Sequence, residues 1–313
     1  MPVALKRLFP STSGNTVNGL GEPLRRRPSP ILWHRKPEMP FAGLQQAICE
    51  RMDSDPRLKA VVRNGDRGPT KPEPVAPVAL ENTAEAWAAK VKEFACAHEA
   101  DLVGIVRLDP IWIFDGYEVP EPWLIMLGIA MEYERLSAAP EVTAGIEVME
   151  TYNRGTRAVR QLANWIHAQG YRAHAHGGPS AGPINLIPPA LAAGFGELGK
   201  HGSIINRKLG SSFRLAAVLT DMPLLGDKPD VFGADDFCAS CHLCSNACPP
   251  QAIFDHKQIV RGDQKWYVDF DKCIGYFHEA YGCAICIAVC PWSRPGVAQN
   301  LAEKMTRRAT RRA

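Results

Sequence analysis

Eight of the ten cysteines lie between Cys238 and Cys290, in two runs of similar spacing. The first run is Cys238-x2-Cys241-x2-Cys244-x3-Cys248-Pro249, and the second is Cys273-x9-Cys283-x2-Cys286-x3-Cys290-Pro291. A cysteine at every third position lets one tight loop present three thiolates to three irons of a cubane cluster. The spacing therefore predicts two [4Fe–4S] clusters in one small module, close enough for single electrons to pass between them.

In two-cluster ferredoxins the fourth cysteine of each run ligates the cluster of the other run. The predicted ligands are Cys238, Cys241, Cys244 and Cys290 for the first cluster, and Cys248, Cys273, Cys283 and Cys286 for the second. Zinc also binds C-x2-C pairs, but a four-ligand zinc site does not require three thiolates in seven residues followed by Cys-Pro. Cys49 and Cys96 lie outside the runs and are expected to be ordinary buried thiols.

The rest of the chain must supply the domain that positions and uses these clusters. Residues 1–78 are rich in proline, arginine and turn formers, which favours an N-terminal extension and linker draped on the core. Residues 79–232 are predicted to form the core that binds the cofactor and substrate. Residues 233–295 would form the two-cluster domain, and residues 296–313 a basic C-terminal tail.

Apolar spacing in the core predicts alternating helices and strands, so the expected fold class is α+β: an α/β core followed by a ferredoxin-like domain. Helices are predicted from a Thr83 cap to about His98, from about Glu141 to Gly170, and around residues 189–198. Strands are predicted over residues 101–108, 123–131, 171–176 and 213–220, with a glycine-rich turn at 194–202.

Composition excludes several classes of protein. With 46% hydrophobic and 22% charged residues the chain is close to the globular average. A net charge of +3 is too small to indicate a nucleic-acid partner. No window of about 18 apolar residues predicts a membrane span, and the N-terminus lacks the pattern of an export signal, so a cytoplasmic location is expected. The basic runs at residues 24–27 and 304–312 are interpreted as solvated or mobile tails.

A second set of motifs precedes the cysteines. It consists of Pro189-Ala-Leu-Ala-Ala-Gly-Phe-Gly-Glu-Leu-Gly-Lys-His-Gly202, Phe213-Arg-Leu, and Val218-Leu-Thr-Asp-Met-Pro-Leu224. In this order and spacing, residues 80–295 resemble the reductive dehalogenases, and also epoxyqueuosine reductase, a relative with the same cofactor plan. The resemblance implies a nitroreductase-like core and a base-off cobalamin lying between that core and the two-cluster module.

The resemblance also implies a proton donor for reduction of a carbon–halogen bond. Tyr152 matches the family's tyrosine by its place ahead of Gly170-Tyr171-Arg-Ala, and Lys200 matches its basic partner. A phenol, with an ordinary pKa of about 10, becomes a better acid when an adjacent cation stabilises its phenolate. The alternatives are a helix-face tyrosine with its hydroxyl at the surface, and a lysine whose charge offsets a helix dipole.

Glycines and histidines are the candidate cofactor contacts. Gly194, Gly196 and Gly199 are predicted to allow close approach of the backbone to a cofactor, although glycine also serves plain turns. His174 and His176 are alternate residues of a predicted strand, so they point to one face and could line the same pocket. His176 is the candidate cofactor contact of the two.

The leading hypothesis is a cobalamin-dependent reductase that cleaves a carbon–halogen bond of a small organohalide. A separate ferredoxin, flavodoxin or reductase would supply the electrons, because the chain carries no reductase domain of its own. One alternative is an epoxyqueuosine-reductase-like enzyme acting on tRNA, against which residues 174–180 lack the expected acidic residue. Others are an electron-transfer protein without a corrinoid, and a flavin in place of cobalamin.

Overall fold

The computed structural model describes residues 9–34, 39–179 and 182–312. Its strands are β1 (Leu102–Arg107), β2 (Trp123–Ala130), β3 (Ala173–His176), β4 (Glu197–Leu198), β5 (Ile204–Ile205), β6 (Phe213–Thr220), β7 (Gln258–Val260) and β8 (Asp263–Lys265). Its helices are α1 (Gly14–Val17), α2 (Ala42–Asp53), α3 (Pro56–Asn64), α4 (Ala84–Ala97), α5 (Tyr133–Leu136), α6 (Val142–Ala168), α7 (Ile187–Ala192), α8 (Ala234–Ser240), α9 (Leu243–Asn246), α10 (Phe270–Glu279), α11 (Ile285–Ala288) and α12 (Val297–Arg312). The N-terminal stretch considered as an export signal falls partly outside these residues, at 1–8, as does Ser180.

A four-stranded antiparallel sheet in the order β1-β2-β6-β3 forms the centre of the core. Strands β2 and β6 pair so that Ile125 lies opposite Val218 and Leu124 opposite Leu219. Ile125 and Val218 pack under α4 and α6 on one face, whereas Leu124 and Leu219 pack with α7 on the other. Because both faces of the sheet are covered, β2 is apolar at consecutive positions, which explains its unbroken hydrophobic sequence.

The cysteine-bearing module follows the core from α8 onward. Short helices α8 to α11 carry or flank the cysteines, and the β7–β8 hairpin lies between the two cysteine runs. Helix α12 packs on this module, with Ala298, Ala302 and Met305 buried in a cluster that includes Trp292 and Cys238. The segment expected to be a basic tail is therefore a helix with one buried face.

In its described parts, residues 9–34 and 39–78, the N-terminal extension contains three helices that the sequence did not predict. Helix α2 buries Leu44 and Ile48 in a cluster that includes Ile274 of α10. The Phe41 ring packs edge-on against Phe270, with ring centroids 5.1 Å apart. Helix α3 packs instead against α6 of the core. The extension thus contacts both the core and the cysteine module.

The structure confirms the expected α+β fold and most of the predicted core elements. The predicted helices at 83–98 and 141–170 are α4 and α6, and the predicted strands are β1, β2, β3 and β6. Thr83 caps α4 as expected, because its hydroxyl accepts the backbone N–H of Ala86 at 3.2 Å. The domain boundaries at residues 78, 232 and 295 stay predictions.

The helix predicted around residues 189–198 is wrong at its C-terminal end. Helix α7 ends at Ala192 because Gly194 and Gly196 have φ angles of +85° and +120°, which a right-handed helix excludes. Glu197–Leu198 instead forms β4, paired with β5. The glycine-rich segment is thus the start of a β-hairpin.

Two expectations about surface residues are also wrong. Cys49 and Cys96 are exposed, because each follows a residue, Ile48 or Ala95, that occupies the buried face of its amphipathic helix. The first basic run is not a solvated tail either. The Arg27 guanidinium donates to the Ile113 carbonyl at 2.9 Å, and Arg26 pairs with Glu22 at 2.6 Å.

Within the described ranges, none of the helices combines the length and the apolar character that crossing a membrane requires.

Candidate functional site

The first group of sulfurs comes from both cysteine runs. Burial raises the pKa of the Cys238 thiol to about 12, and the charges of Cys290, Cys244 and Cys241 raise it further. Burial likewise raises the pKa of Cys290 to about 12, again with contributions from Cys244 and Cys241. The structure therefore brings together the four cysteines predicted to ligate the first cluster.

The second group forms around Cys273. Burial raises the pKa of its thiol to about 12, and the charges of Cys283 and Cys248 add to the rise. Burial also raises the pKa of Cys286, with Cys283 and Cys273 as the next contributors. Cys244 of the first group contributes to the same rise, so the two groups adjoin.

Eight buried or half-buried thiols grouped in this way fit metal centres better than free thiols. A thiol whose pKa is raised is protonated at neutral pH, whereas a metal deprotonates any thiol that coordinates it. Two adjoining groups of four match the cysteine ligation of [4Fe–4S] clusters. Which cysteine ligates which cluster stays a prediction.

A buried glutamate holds the helix that carries Cys238. The Glu197 carboxylate accepts the backbone N–H groups of residues 232 to 235, at 2.7, 2.7, 2.9 and 3.2 Å. A carboxylate stabilises a helix N-terminus through these bonds and through the helix dipole. Sequence reasoning missed this role. The only signal was an acidic residue between the glycines of the hairpin, and the N–H groups that donate to it lie more than thirty residues away.

Lys200 lies beside the first cysteine group and not beside Tyr152. Its ammonium is 5.1 Å from the centroid of the Trp266 ring and 4.0 Å from an Asp255 oxygen, and its backbone N–H donates to the Cys238 sulfur. Lys200 is not among the described residues that line the Tyr152 cavities. The predicted Tyr–Lys pair is therefore wrong, because the turn after β4 places Lys200 against the module.

A cavity of about 890 Å³ lies between the core and the cysteine module. Gly196 and His201 line it from the core, and Trp266, Cys273 and Cys286 line it from the module. Two sulfurs of the second group thus face a cavity of cofactor size, a position from which a cluster could exchange electrons with a bound cofactor.

The three predicted cofactor glycines mainly allow close packing within the protein. A Cβ on Gly196 would lie 2.0 Å from the Ile205 carbonyl oxygen, and one on Gly194 would lie 2.8 Å from that of Lys228. A Cβ on Gly199 would lie 2.7 Å from the His201 ring. Gly196 alone of the three lines the large cavity.

Tyr152, on α6, lies in the walls of two further cavities of about 240 and 370 Å³. Arg214, on β6, lines both cavities, with its guanidinium carbon 5.8 Å from the centroid of the Tyr152 ring. Cys283 of the second group also lines the smaller cavity. A phenol, a guanidinium and a candidate cluster ligand therefore meet at one cavity.

Sequence reasoning missed Arg214 as the basic neighbour of Tyr152. The residue was noted only within the Phe213-Arg-Leu motif. Strand alternation puts Arg214 on the face opposite Phe213. Tertiary packing brings Tyr152 of α6 to this face, and the sequence pattern of the strand does not reveal that contact.

His176 lines the larger Tyr152 cavity, and its role as a cofactor contact stays a prediction. Its Nε2 has no hydrogen-bond partner among the described residues. Burial lowers the pKa of His176 to about 4, with a smaller effect from His174. His174 is largely exposed and its Nε2 lies 3.1 Å from a carboxylate oxygen of Glu121. Both histidines also line a separate cavity of about 480 Å³ behind β3.

Known proteins support this arrangement. Residues 237–293 match the family model described as a 4Fe-4S dicluster domain. The tetrachloroethene reductive dehalogenase of Sulfurospirillum multivorans is 31% identical over 280 residues, which cover 74% of this chain and 53% of that protein. The epoxyqueuosine reductase of Cellulophaga algicola is 34% identical over 122 residues, which cover 34% of this chain and 36% of that protein.

A solved structure shares the fold. It belongs to a reductive dehalogenase described as suggesting a mechanism for B12-dependent dehalogenation, and it superposes with a TM-score of 0.72 at 21% identity. The match covers 99% of this chain and 47% of that one. The chain thus spans about half the length of the relatives it matches. With a dicluster domain, a sequence match over three quarters of its length and a shared fold, the chain belongs to the reductive dehalogenase family.

Proposed function

We propose that this chain is a cobalamin-dependent reductase that removes halogen from a small organohalide. Two electrons and one proton convert the carbon–halogen bond to a carbon–hydrogen bond and release halide. The observation that carries the proposal is the cavity at which Tyr152, Arg214 and Cys283 meet, since it joins a proton source to a candidate ligand of the second cluster.

A corrinoid would bind at the cavity of about 890 Å³ between the core and the cysteine module. Gly196 and His201 would hold one side and Trp266 the other, with Cys273 and Cys286 behind. The bound corrinoid would supply a cobalt centre that takes up single electrons and reacts with the carbon–halogen bond. His176 Nε2 and Arg214 Nε, which have no partners among the described residues, line the Tyr152 cavity of about 370 Å³ and are groups that a ligand bound there could satisfy.

The residues around Tyr152 have separable roles in this proposal. The Tyr152 hydroxyl would donate a proton to the carbon that loses halide, and the Arg214 guanidinium would stabilise the resulting phenolate. Trp33, Met149 and Phe277 line the same cavity and would exclude water from an apolar substrate.

Tyr152→Phe tests the proposal directly. The protein is expressed without oxygen and with added cobalamin, and its iron and cobalt contents are measured. About eight irons and one cobalt per chain are expected in both the wild type and the variant. Halide release from a panel of haloaromatics should occur in the wild type and fall by at least a hundredfold in the variant, because a positioned acid contributes rate factors of roughly 10²–10⁴.

Tyr171→Phe is the matched control. Its hydroxyl donates to the Leu80 carbonyl at 2.9 Å, away from the Tyr152 cavities, so this variant should keep full activity. Iron without cobalt would reject the corrinoid, and full activity in Tyr152→Phe would reject the proton donor.

The electron donor and the place of action are also part of the proposal. A separate ferredoxin, flavodoxin or reductase would deliver electrons, and the expected cytoplasmic location stays a prediction. The tRNA-modifying alternative gains no support from the segment His174–Pro179, which contains no acidic residue.

A further inference from the structure

Lys200 is a buried cation without a close counterion. Its side chain is only 1% exposed. Its Nζ has no hydrogen-bond acceptor among the described residues. The nearest carboxylate oxygen, of Asp255, is 4.0 Å away on a side chain that is 63% exposed and already bonds to His242 and Ser245. Burying an ammonium in this way is costly unless another negative group compensates it.

The missing negative group is indicated by what Lys200 touches. Its backbone N–H donates to the sulfur of Cys238. The Asp255 oxygen that lies 4.0 Å from the Lys200 ammonium also accepts the hydroxyl of Ser245, the residue after Cys244, at 3.0 Å. The ammonium therefore lies close enough to the first cysteine group to stabilise negative charge there.

The second cysteine group has a carboxylate nearby instead. Asp269 caps the helix that carries Cys273, and its side chain accepts the backbone N–H of Lys272 at 3.1 Å. One group thus has a buried cation at hand, whereas the other has an added carboxylate. Reduction adds one negative charge to a cluster, so a nearby cation favours the reduced form and a nearby anion opposes it.

We propose that Lys200 raises the reduction potential of the first cluster above that of the second, so that a single electron in the module resides mainly on the first cluster. The second cluster, whose predicted ligands Cys273 and Cys286 line the cofactor cavity, would be the lower-potential centre that reduces the cofactor. The inference rests on the [4Fe–4S] part of the proposed function and is independent of the corrinoid and of the substrate. In this role Lys200 tunes an electron-transfer centre and touches no substrate.

Lys257 provides a matched control for the loss of a positive charge. Its Nζ lies 5.7 Å from the centroid of the same Trp266 ring, close to the 5.1 Å of Lys200. It pairs with Asp235 at 2.6 Å and is partly exposed, so solvent and the carboxylate already screen its charge. Lys257→Met should therefore change the reduction equilibrium constant of each cluster by less than twofold.

The experiment is a redox titration of anaerobically purified protein without cobalamin or substrate, followed by electron paramagnetic resonance. Cys241→Ser, which alters one predicted ligand of the first cluster, identifies the titration step of that cluster. Lys200→Met should lower the reduction equilibrium constant of the first cluster at least tenfold. For a one-electron couple this corresponds to a fall of about 59 mV in the reduction potential. Lys200→Arg, which keeps the charge, should stay close to the wild type.

An unchanged potential of the first cluster in Lys200→Met, with iron content intact, would overturn the inference. So would an equal shift of both clusters. If Lys200→Met loses iron, Lys200→Gln fills the same space with a neutral polar group and is judged by the same two criteria. Because no turnover is measured, failure of the dehalogenase proposal would leave this result unaffected.

Discussion

At the scale of single residues, the hairpin that carries Glu197 and Lys200 depends on a glycine that no other residue can replace. Gly196 has a φ of +120° and its missing Cβ would lie 2.0 Å from a carbonyl oxygen. Gly21 also has a positive φ, +84°, but open space surrounds its missing Cβ. Comparing the same substitution at the two positions therefore separates the effect of backbone strain from the effect of steric overlap.

Gly196→Ala should be far more destabilising than Gly21→Ala. Positive φ costs alanine about 1–2 kcal/mol, which both variants share. Only Gly196→Ala must also displace the backbone beside Glu197, so we expect an additional loss of several degrees in Tm and a loss of iron. Thermal unfolding and iron analysis of both variants measure the difference, and equal Tm values would contradict it.

Individual residues also show what could be read from the sequence. The cysteines were identifiable because their ligand spacing is local. The location of Lys200 was not, because its neighbours Trp266 and Asp255 are distant in sequence and are reached only through the hairpin. Arg214 was hidden for the same reason, since its relation to Tyr152 depends on how a helix crosses a strand.

At the scale of secondary-structure elements, α12 supports the first cysteine group. Ala302 is fully buried in the cluster that contains Trp292, Cys238 and Cys290. Gln299, on the same helix, is exposed. The two positions allow a carboxylate to be placed on either the buried or the exposed face of one helix.

Ala302→Asp should detach α12 and weaken the module, because a buried carboxylate without a partner costs several kcal/mol. Gln299→Asp places the same charge in solvent near the helix N-terminus, where it is tolerated or mildly stabilising. We expect a lower Tm and reduced iron only in Ala302→Asp. The prediction fails if the iron content of this variant matches that of Gln299→Asp.

Elements were predictable where one face or both faces are buried along their whole length. Strand β6 was predicted at its observed bounds, Phe213–Thr220, and α6 within a residue or two of its ends. Helix α12 was missed because its arginines and lysine dominate the sequence, whereas its buried face consists of small residues such as Ala298 and Ala302. The helices of residues 9–64 were missed because they gain their stability from tertiary contacts.

At the scale of the whole molecule, the N-terminal extension joins the core to the cysteine module. Asn15 forms three side-chain hydrogen bonds with the module. Its amide N–H donates to Asp269 at 2.8 Å, and its amide oxygen accepts from the Tyr267 hydroxyl at 2.9 Å and from the Phe270 backbone N–H at 2.8 Å. Its neighbour Thr16 is exposed. Asn15 is therefore the position at which this attachment can be tested.

Asn15→Ala should release the start of the extension while leaving the core folded. Each lost hydrogen bond costs about 0.5–1.5 kcal/mol, and the partners left behind add to that. Hydrogen exchange should show faster exchange of residues 13–18 and of the start of α10, with no change in β2 or β6. Thr16→Ala is the control, and equal exchange in the two variants would refute the role of Asn15.

The attachment of the extension also constrains the order in which parts of the chain can fold during synthesis. Ser13 hydrogen-bonds to Asp271, a partner 258 residues later in the sequence. At translation rates of roughly 5–20 residues per second, the extension waits tens of seconds on the ribosome before α10 exists. During that interval Phe41, Leu44 and Ile48 lack the surface that later covers them. The extension is synthesised well before the module and is thus among the last parts described here to reach its native position, because its docking follows completion of the module against which it packs.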